Sequence, residues 1–271
     1  MKDKHRIVCL HDRQQLADFL LPRADLHLYA LGDLDDFFWP YTSCYGLIDG
    51  EQLCEIVLCY MGAPGSLVVH ALTSTSTAHM LSLLGGLQHL LPVRLYTHLS
   101  PGLLPAFSTV YQIQPHGEYD KMTLIDQSLL GHFDTTAVER LHAADLAEVQ
   151  RFYDASYPGN WFDGRMLETG HYYGLHIDGA LVCIAGVHVY SPSYRVAALG
   201  NITTRPDMRG RGFARQVTAH LCQELRKSVD IIGLNVRSDN GAARACYSAL
   251  GFRRVAVYEE HDLVRRVTSD E

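Results

Sequence analysis

The stretch TTRPDMRGRGFARQV, residues 203–217, packs four arginines, two glycines and a proline ahead of a helical pattern. The residues before it, RVAALGNITT (195–204), read as a strand. Pro206 halts that strand, because proline cannot donate to a ladder and restricts the residue before it. From Gly212 to Lys227 the apolar side chains Ala214, Val217, Leu221 and Leu225 recur at helical spacing. The order is strand, glycine turn, helix start. The first N–H groups of a helix have no partner inside it, and the helix dipole places partial positive charge there. Glycines let an oxygen approach the backbone, and arginines add charge-assisted bonds. Two readings fit the stretch itself: a solvated surface turn, or a cradle for a phosphorylated ligand. It is neither of two familiar phosphate motifs. There is no GK[ST], and GRGFAR lacks the third glycine of the dinucleotide fingerprint.

Downstream, IIGLNV (231–236) is a continuous apolar run, as expected of a strand buried on both faces. NGAARACYSALG (240–251) is a short helix, with Asn240 at its cap and Gly251 at its end. FRRVAVYEEHDL closes with a strand. Upstream, AVERLHAAD (137–145) is a strand running into a cap. DLAEVQRFYDASY (145–157) and FDGRMLETG (162–170) read as helices. HYYGLHIDG and ALVCIAGVHVY form a hairpin turning at Asp178-Gly179.

The first half sketches a similar order. RIVCLHD is a strand, RQQLADFLL and DLHLYAL are helices, and CYGLIDG, EQLCEIVLCYMG and SLVVHALTS are strands. STAHMLSLLGGLQHLL is a helix, VRLYTHL a strand, PGLLPAFSTVY a helix and EYDKMTLID a final strand. The matching order suggests two copies of one fold joined near residues 127–136.

The chain has 271 residues, 47% hydrophobic and 20% charged, which is ordinary globular composition. No run approaches the roughly 20 apolar residues of a membrane span, and the N-terminus is too charged for a secretory signal. Seven scattered cysteines without a CxxC fit a reducing compartment, so the sequence reads as cytoplasmic, with no membrane partner. Fifteen histidines include no HExxH and no Cys/His cluster at ligand spacing, so no metal is expected. The net charge of −7 lies wholly in residues 1–135, which argues against nucleic acid. Arg205, Arg209, Arg211 and Arg215 face only Asp207 locally, a field suited to a small anion.

The stretch resembles the acetyl-CoA loop of the GNAT superfamily of N-acetyltransferases. The family pattern Arg/Gln-x-x-Gly-x-Gly/Ala reads here as Arg209, Gly210, Arg211, Gly212, Phe213, Ala214, with Pro206 three residues earlier. A second family element follows the next strand: Asn240, Ala243, Tyr247 and Gly251-Phe252. The resemblance covers about residues 135–265. It implies a mixed-sheet α/β GNAT acyltransferase fold, as two tandem GNAT-like domains. These would be a degenerate one at 1–130 and an acetyl-CoA-binding catalytic one at 135–271.

It also implies roles. Backbone groups of Ile202, Thr203 and Thr204 would line the pantetheine arm and supply an oxyanion donor. Amides of residues 209–214 would hold the pyrophosphate. Asn235 and Asn240 would reach the arm or phosphates, beside Ala243. For Asn240 a cap alone is the competing reading. Tyr247 matches the family's general acid, and a phenol near pKa 10 stays protonated long enough to serve a thiol near 8.5. Its competing reading is a core tyrosine. The general base is open: the middle strands offer His188, Tyr190 and His176, and the preceding helix offers Asp163 and Glu168. Trp161 and Phe162 fall where the family has its acceptor loop, and either line it or pack between domains. Phe37, Phe38 and Trp39 are core or wall a cleft. The first half reads ALTSTSTAHM at the loop position, with no glycine or arginine, so it is not expected to bind acetyl-CoA. This resembles the tandem arrangement of mycothiol synthase.

The expected function is transfer of an acetyl group from acetyl-CoA to a small amine by direct attack in a ternary complex, by a monomer or homodimer. A longer acyl-CoA substrate and a CoA-binding sensor without turnover are the alternatives.

Overall fold

The computed structural model describes residues 5–62 and 67–266. The chain divides into two compact units. The first comprises the described parts of Met1–Asp120, Arg237–Asp239 and Ala256–Glu271; the second comprises Lys121–Val236 and Asn240–Val255.

In the first unit, β1 (His5–Leu10), α1 (Arg13–Leu20) and α2 (Ala24–Gly32) lead into β2 (Thr42–Asp49), β3 (Gln52–Tyr60) and β4 (Leu67–Ala71). Then come α3 (Thr77–Leu87), β5 (Arg94–Leu99) and β6 (Tyr111–Leu124), whose last four residues belong to the second unit. The strands run β1-β2-β3-β4-β5, antiparallel except for the parallel pair β4–β5. α3 buries Met80, Leu83, Leu84 and Leu87 against Val57, Val69, Leu95 and Leu99. PGLLPAFSTVY is not the expected helix. Only Leu104–Ala106 makes one 3-10 turn, because Pro105 interrupts the helical ladder.

The second unit opens with the end of β6 and continues through β7 (Val138–Arg140), α4 (Leu146–Ser156), β8 (Tyr173–Ile177) and β9 (Ala180–Ser191). β10 (Val196–Thr204), α5 (Phe213–Leu225), β11 (Ile231–Arg237) and α6 (Gly241–Ala249) follow. β12 (Phe252–Arg265) begins here and ends in the first unit. The strand order is β6-β11-β10-β9-β8-β7, with β10 and β11 parallel. The β8–β9 turn falls at Asp178-Gly179, both at positive φ, as the hairpin reading requires. FDGRMLETG is a 3-10 helix over Gly164–Thr169 rather than an α-helix, ended by Gly170. α5 turns Val217, Leu221 and Leu225 onto the sheet, and these join Leu199, Ile232 and Leu234 in one core.

This is a mixed α/β architecture. Among the described residues no helix is long and apolar enough to cross a membrane, and no group of acidic, His or Cys side chains has the arrangement of a metal site. All seven cysteines are free thiols.

Candidate active site

β10 and β11 pair from Val196↔Ile231 only as far as Leu199↔Leu234. Beyond that point β10 continues alone on this side, while its other edge still pairs with β9 through Thr203↔Ile184 and Thr204↔Cys183. Thr203 and Thr204 are therefore bound on one edge, Ile202 falls in the irregular stretch between Gly200 and Thr203, and all three lie past the last β11 pair on the other side. All three are half-buried.

Pro206–Met208 then makes a 3-10 turn, and Arg209 donates from Nε to the Thr204 carbonyl at 3.2 Å. That bond ties the loop back to the strand end. Gly210 and Gly212 both adopt left-handed φ, 77° and 86°, a region that favours glycine. A Cβ at either would meet nothing within 4 Å, so both look onto open space. Gly212 is the N-cap of α5, and no side chain caps the helix. By contrast Asp12, Ser76 and Asn240 cap α1, α3 and α6 with side-chain oxygens. The first amides of α5 thus follow directly on a loop that carries two exposed arginines, Arg209 and Arg211. Arg205 is committed elsewhere, to Asp207.

α6 packs on α5. Ala243, Cys246 and Tyr247 on α6 rest on the same core rim as Ile202, Met208, Phe213 and Ala214. Tyr247 is half-buried, its ring 6.0 Å from that of Phe252. Oδ1 of Asn240 accepts from the Ala243 N–H at 3.1 Å, so this side chain does act as a cap, leaving its amide nitrogen for any ligand. Asn235 is half-buried on β11 and accepts from Lys121 Nζ at 3.2 Å. Lys121, itself buried, is a neighbour no motif announced.

The candidate bases separate. His176 lies beside Glu139 and Glu148, at 3.4 and 3.6 Å. The Tyr190 hydroxyl donates to Ser228. Asp163 is clasped by the Arg165 side chain, which holds its carboxyl below the usual range, and Glu168 is exposed. His188, on β9, packs against the start of the open stretch of β10: a Cβ on Gly200 would come within 2.3 Å of its ring. Around it is a network that sequence reasoning missed. Asn201, at φ 54°, sits in a β10 bulge. Its Nδ2 donates to the Trp161 carbonyl at 3.0 Å and to the Tyr172 hydroxyl at 3.1 Å. Its own carbonyl accepts from Tyr153 at 2.8 Å. The Trp161 ring meets His188 edge-on at 5.8 Å, so Trp161 does reach this region.

In the first unit the corresponding place is filled by the chain itself. β4 and β5 stay paired to their ends, and Ser100 N–H continues the ladder to the Ala71 carbonyl at 3.0 Å. The loop before α3 wraps a buried carboxylate. Glu55 Oε1 accepts from Thr73 Oγ1 at 2.6 Å, Thr75 Oγ1 at 2.5 Å and Ser76 N–H at 3.2 Å, and Glu55 is 2% exposed.

Residues 187–260 match the profile of the FR47-like protein family. The tandem GNAT protein from the clavulanic acid biosynthesis pathway superposes with a TM-score of 0.58 over 98% of this chain and 100% of its own, at 13% identity. The chain is similar to GNAT proteins in part of its sequence and in its fold. Its fold is the GNAT fold, in tandem. Two curated relatives match in sequence. The mycothiol acetyltransferase of Beutenbergia cavernae is 33% identical over 104 residues, which is 38% of this chain and 33% of the relative. The N-alpha-acetyltransferase RimI of Mycobacterium tuberculosis is 35% identical over 91 residues, 32% of this chain and 54% of the relative. The matched segments span only a third to about a half of those relatives.

Proposed function

We propose that this protein is an N-acetyltransferase that moves an acetyl group from acetyl-CoA to the amine of a small molecule, by direct attack in a ternary complex. One observation carries the reading. β10 parts from β11 after Leu199↔Leu234, and the helix that follows starts with amides that no side chain caps, just after Arg209 and Arg211. An extended arm fits beside the free edge of Ile202–Thr204, and a diphosphate fits the helix start. The names of the relatives support the transferred group, since both are acetyltransferases.

In this reading the amine nitrogen attacks the thioester carbonyl. A backbone N–H at 202–204 stabilises the oxyanion. Tyr247 protonates the departing thiolate. The acceptor lies toward Trp161 and Phe162.

The test is thiol release from acetyl-CoA with a panel of glucosamine, putrescine and an alanyl tripeptide, beside calorimetry. One acetyl-CoA should bind per chain, and at least one amine should be turned over. Gly212→Glu places a carboxylate where phosphate is proposed to sit, and should reduce binding below detection. Unchanged affinity in that variant would remove the cradle assignment. Saturable binding with no turnover on any amine would favour a sensor.

A further inference from the structure

We propose that Asn201 is a positioning residue of the acceptor site, which fixes the loop of Trp161 beside the open stretch of β10. This rests on the acetyltransferase reading above. Trp161 is the side chain through which Asn201 acts.

Asn201 sits where β10 bulges. Gly200 pairs with Gly186 and Thr203 with Ile184, so β10 carries an extra residue in between. Asn201 takes up that excess with a left-handed φ of 54°. Glycine meets such a demand with no side chain, and asparagine is among the few other residues that tolerate it. Bulges re-aim side chains and recur beside functional sites. Here the re-aimed group is an amide, and Asn201 is 5% exposed.

That amide is fully engaged. Its nitrogen donates to the Trp161 carbonyl at 3.0 Å and to the Tyr172 hydroxyl at 3.1 Å. Its oxygen shares a hydrogen bond with the His188 ring. The main-chain carbonyl of Asn201 accepts from the Tyr153 hydroxyl at 2.8 Å. One residue thus joins β10 to α4 through Tyr153, to the start of β8 through Tyr172, and to the loop at 157–163 through Trp161.

The loop needs such an anchor. Residues 157–163 form neither helix nor strand. Asn160 bonds back to the Tyr157 carbonyl and Asp163 to the Arg165 side chain, which shapes the loop without tying it to the sheet. Phe162 packs on the rings of Tyr153 and Tyr172, at 5.0 and 5.6 Å between centroids. Trp161 is left 41% exposed. Its ring meets His188 edge-on at 5.8 Å, and that imidazole packs on Gly200, the first residue of β10 past its last β11 pair. The indole therefore stands beside the start of the gap in which the thioester is proposed to lie. An acceptor amine arrives as an ammonium, a cation that an indole ring attracts. Glycine at 201 would serve the bulge; the asparagine amide adds the tie to Trp161.

The test separates acceptor binding from acetyl-CoA binding. Asn201→Gly keeps the left-handed backbone and removes the amide. Asn201→Asp keeps the shape and replaces the donor with an acceptor. Rates are measured at saturating acetyl-CoA with the fastest amine of the panel (glucosamine, putrescine or the alanyl tripeptide), and acetyl-CoA affinity by calorimetry. Both variants should raise the KM of that amine by on the order of 10-fold. Their kcat and acetyl-CoA affinity should stay within about twofold of wild type, the pattern of a lost binding contribution. An unchanged amine KM, or an equal loss of acetyl-CoA affinity, overturns the positioning role and spares the acetyltransferase reading. Trp161 supplies a readout that needs neither variant. The chain has two tryptophans, so in Trp39→Phe the emission is that of Trp161 alone. Saturating amine, added in the presence of CoA, should shift it. An unmoved emission overturns the positioning role even if both Asn201 variants fail to fold. A wild type that binds no acetyl-CoA, or binds it and turns over no amine, overturns this role and the acetyltransferase reading together.

Discussion

At the scale of single residues, depth in the core separates two tyrosines. Tyr172 is fully buried, with its hydroxyl donated to the Val187 carbonyl, and it is a structural strut. Tyr247 is half-buried against the second unit's core, and the proposed function gives its hydroxyl to the departing thiolate. Tyr247→Phe keeps the ring against Phe252 and removes only the proton donor. We expect kcat to drop by about 10²-fold with acetyl-CoA affinity nearly intact in calorimetry; an unaltered rate would place this tyrosine among the struts. The turn at the arginine–glycine run was legible because Gly210 and Gly212 act through local backbone conformation. Asn201 was not. Its role needs Trp161, Tyr172 and His188, which lie far off in sequence and meet only in the folded sheet. The one local hint was the Gly200-Asn201 pair inside a strand pattern, a known mark of bulges.

At the scale of elements, the two units treat the same strand–loop–helix piece in opposite ways. In the second unit β10 leaves β11 and α5 begins uncapped. In the first, β4 and β5 stay paired, Ser76 caps α3, and Glu55 fills the turn before it. The sequence already showed hydroxyls in place of arginine and glycine at ALTSTSTAHM. It could not show what those hydroxyls bind, because Glu55 arrives from β3. The carboxylate supplies from within what a phosphate would supply from outside: negative charge at a helix start. This predicts a stability cost. Glu55→Ala removes the shared acceptor of two threonine hydroxyls and the Ser76 amide, at about 1–3 kcal/mol. Thermal or urea unfolding should show it. A midpoint equal to the wild type would mean that the Thr73–Ser76 turn holds its shape without the carboxylate. Element order was read well because hydrophobic period and turn residues are local signals. The error at PGLLPAFSTVY came from weighing apolar spacing above Pro105.

At the scale of the whole molecule, sequence order and structural unit part company at the last strand. β12 starts at Phe252 in the core of the second unit and ends as part of the first. There its outer half pairs antiparallel with β5, from Glu259↔Leu99 to Val264↔Arg94. Leu263 is 1% exposed in the first unit's core, and Glu260 accepts from the Tyr258 hydroxyl at 2.7 Å and from Tyr96. Nothing in YEEHDLV distinguishes a strand that returns to its own half from one that closes the other, since both need the same alternation. The first unit therefore depends on residues that lie 160 to 170 positions beyond their partners on β5 (Glu259↔Leu99 to Val264↔Arg94). Deleting residues 256–271 should leave the β5 edge unpaired and a leucine-sized gap beside Leu95 and Leu99. Core truncations of that size typically cost about 2–5 kcal/mol before any lost strand pairing is counted, a large part of a domain's total stability. The shortened chain should lose the cooperative unfolding transition of its first unit, seen by hydrogen exchange at β2–β5, while amides of β9 and β10 stay protected. Full protection of β5 in the shortened chain would show that the first unit closes without its borrowed strand.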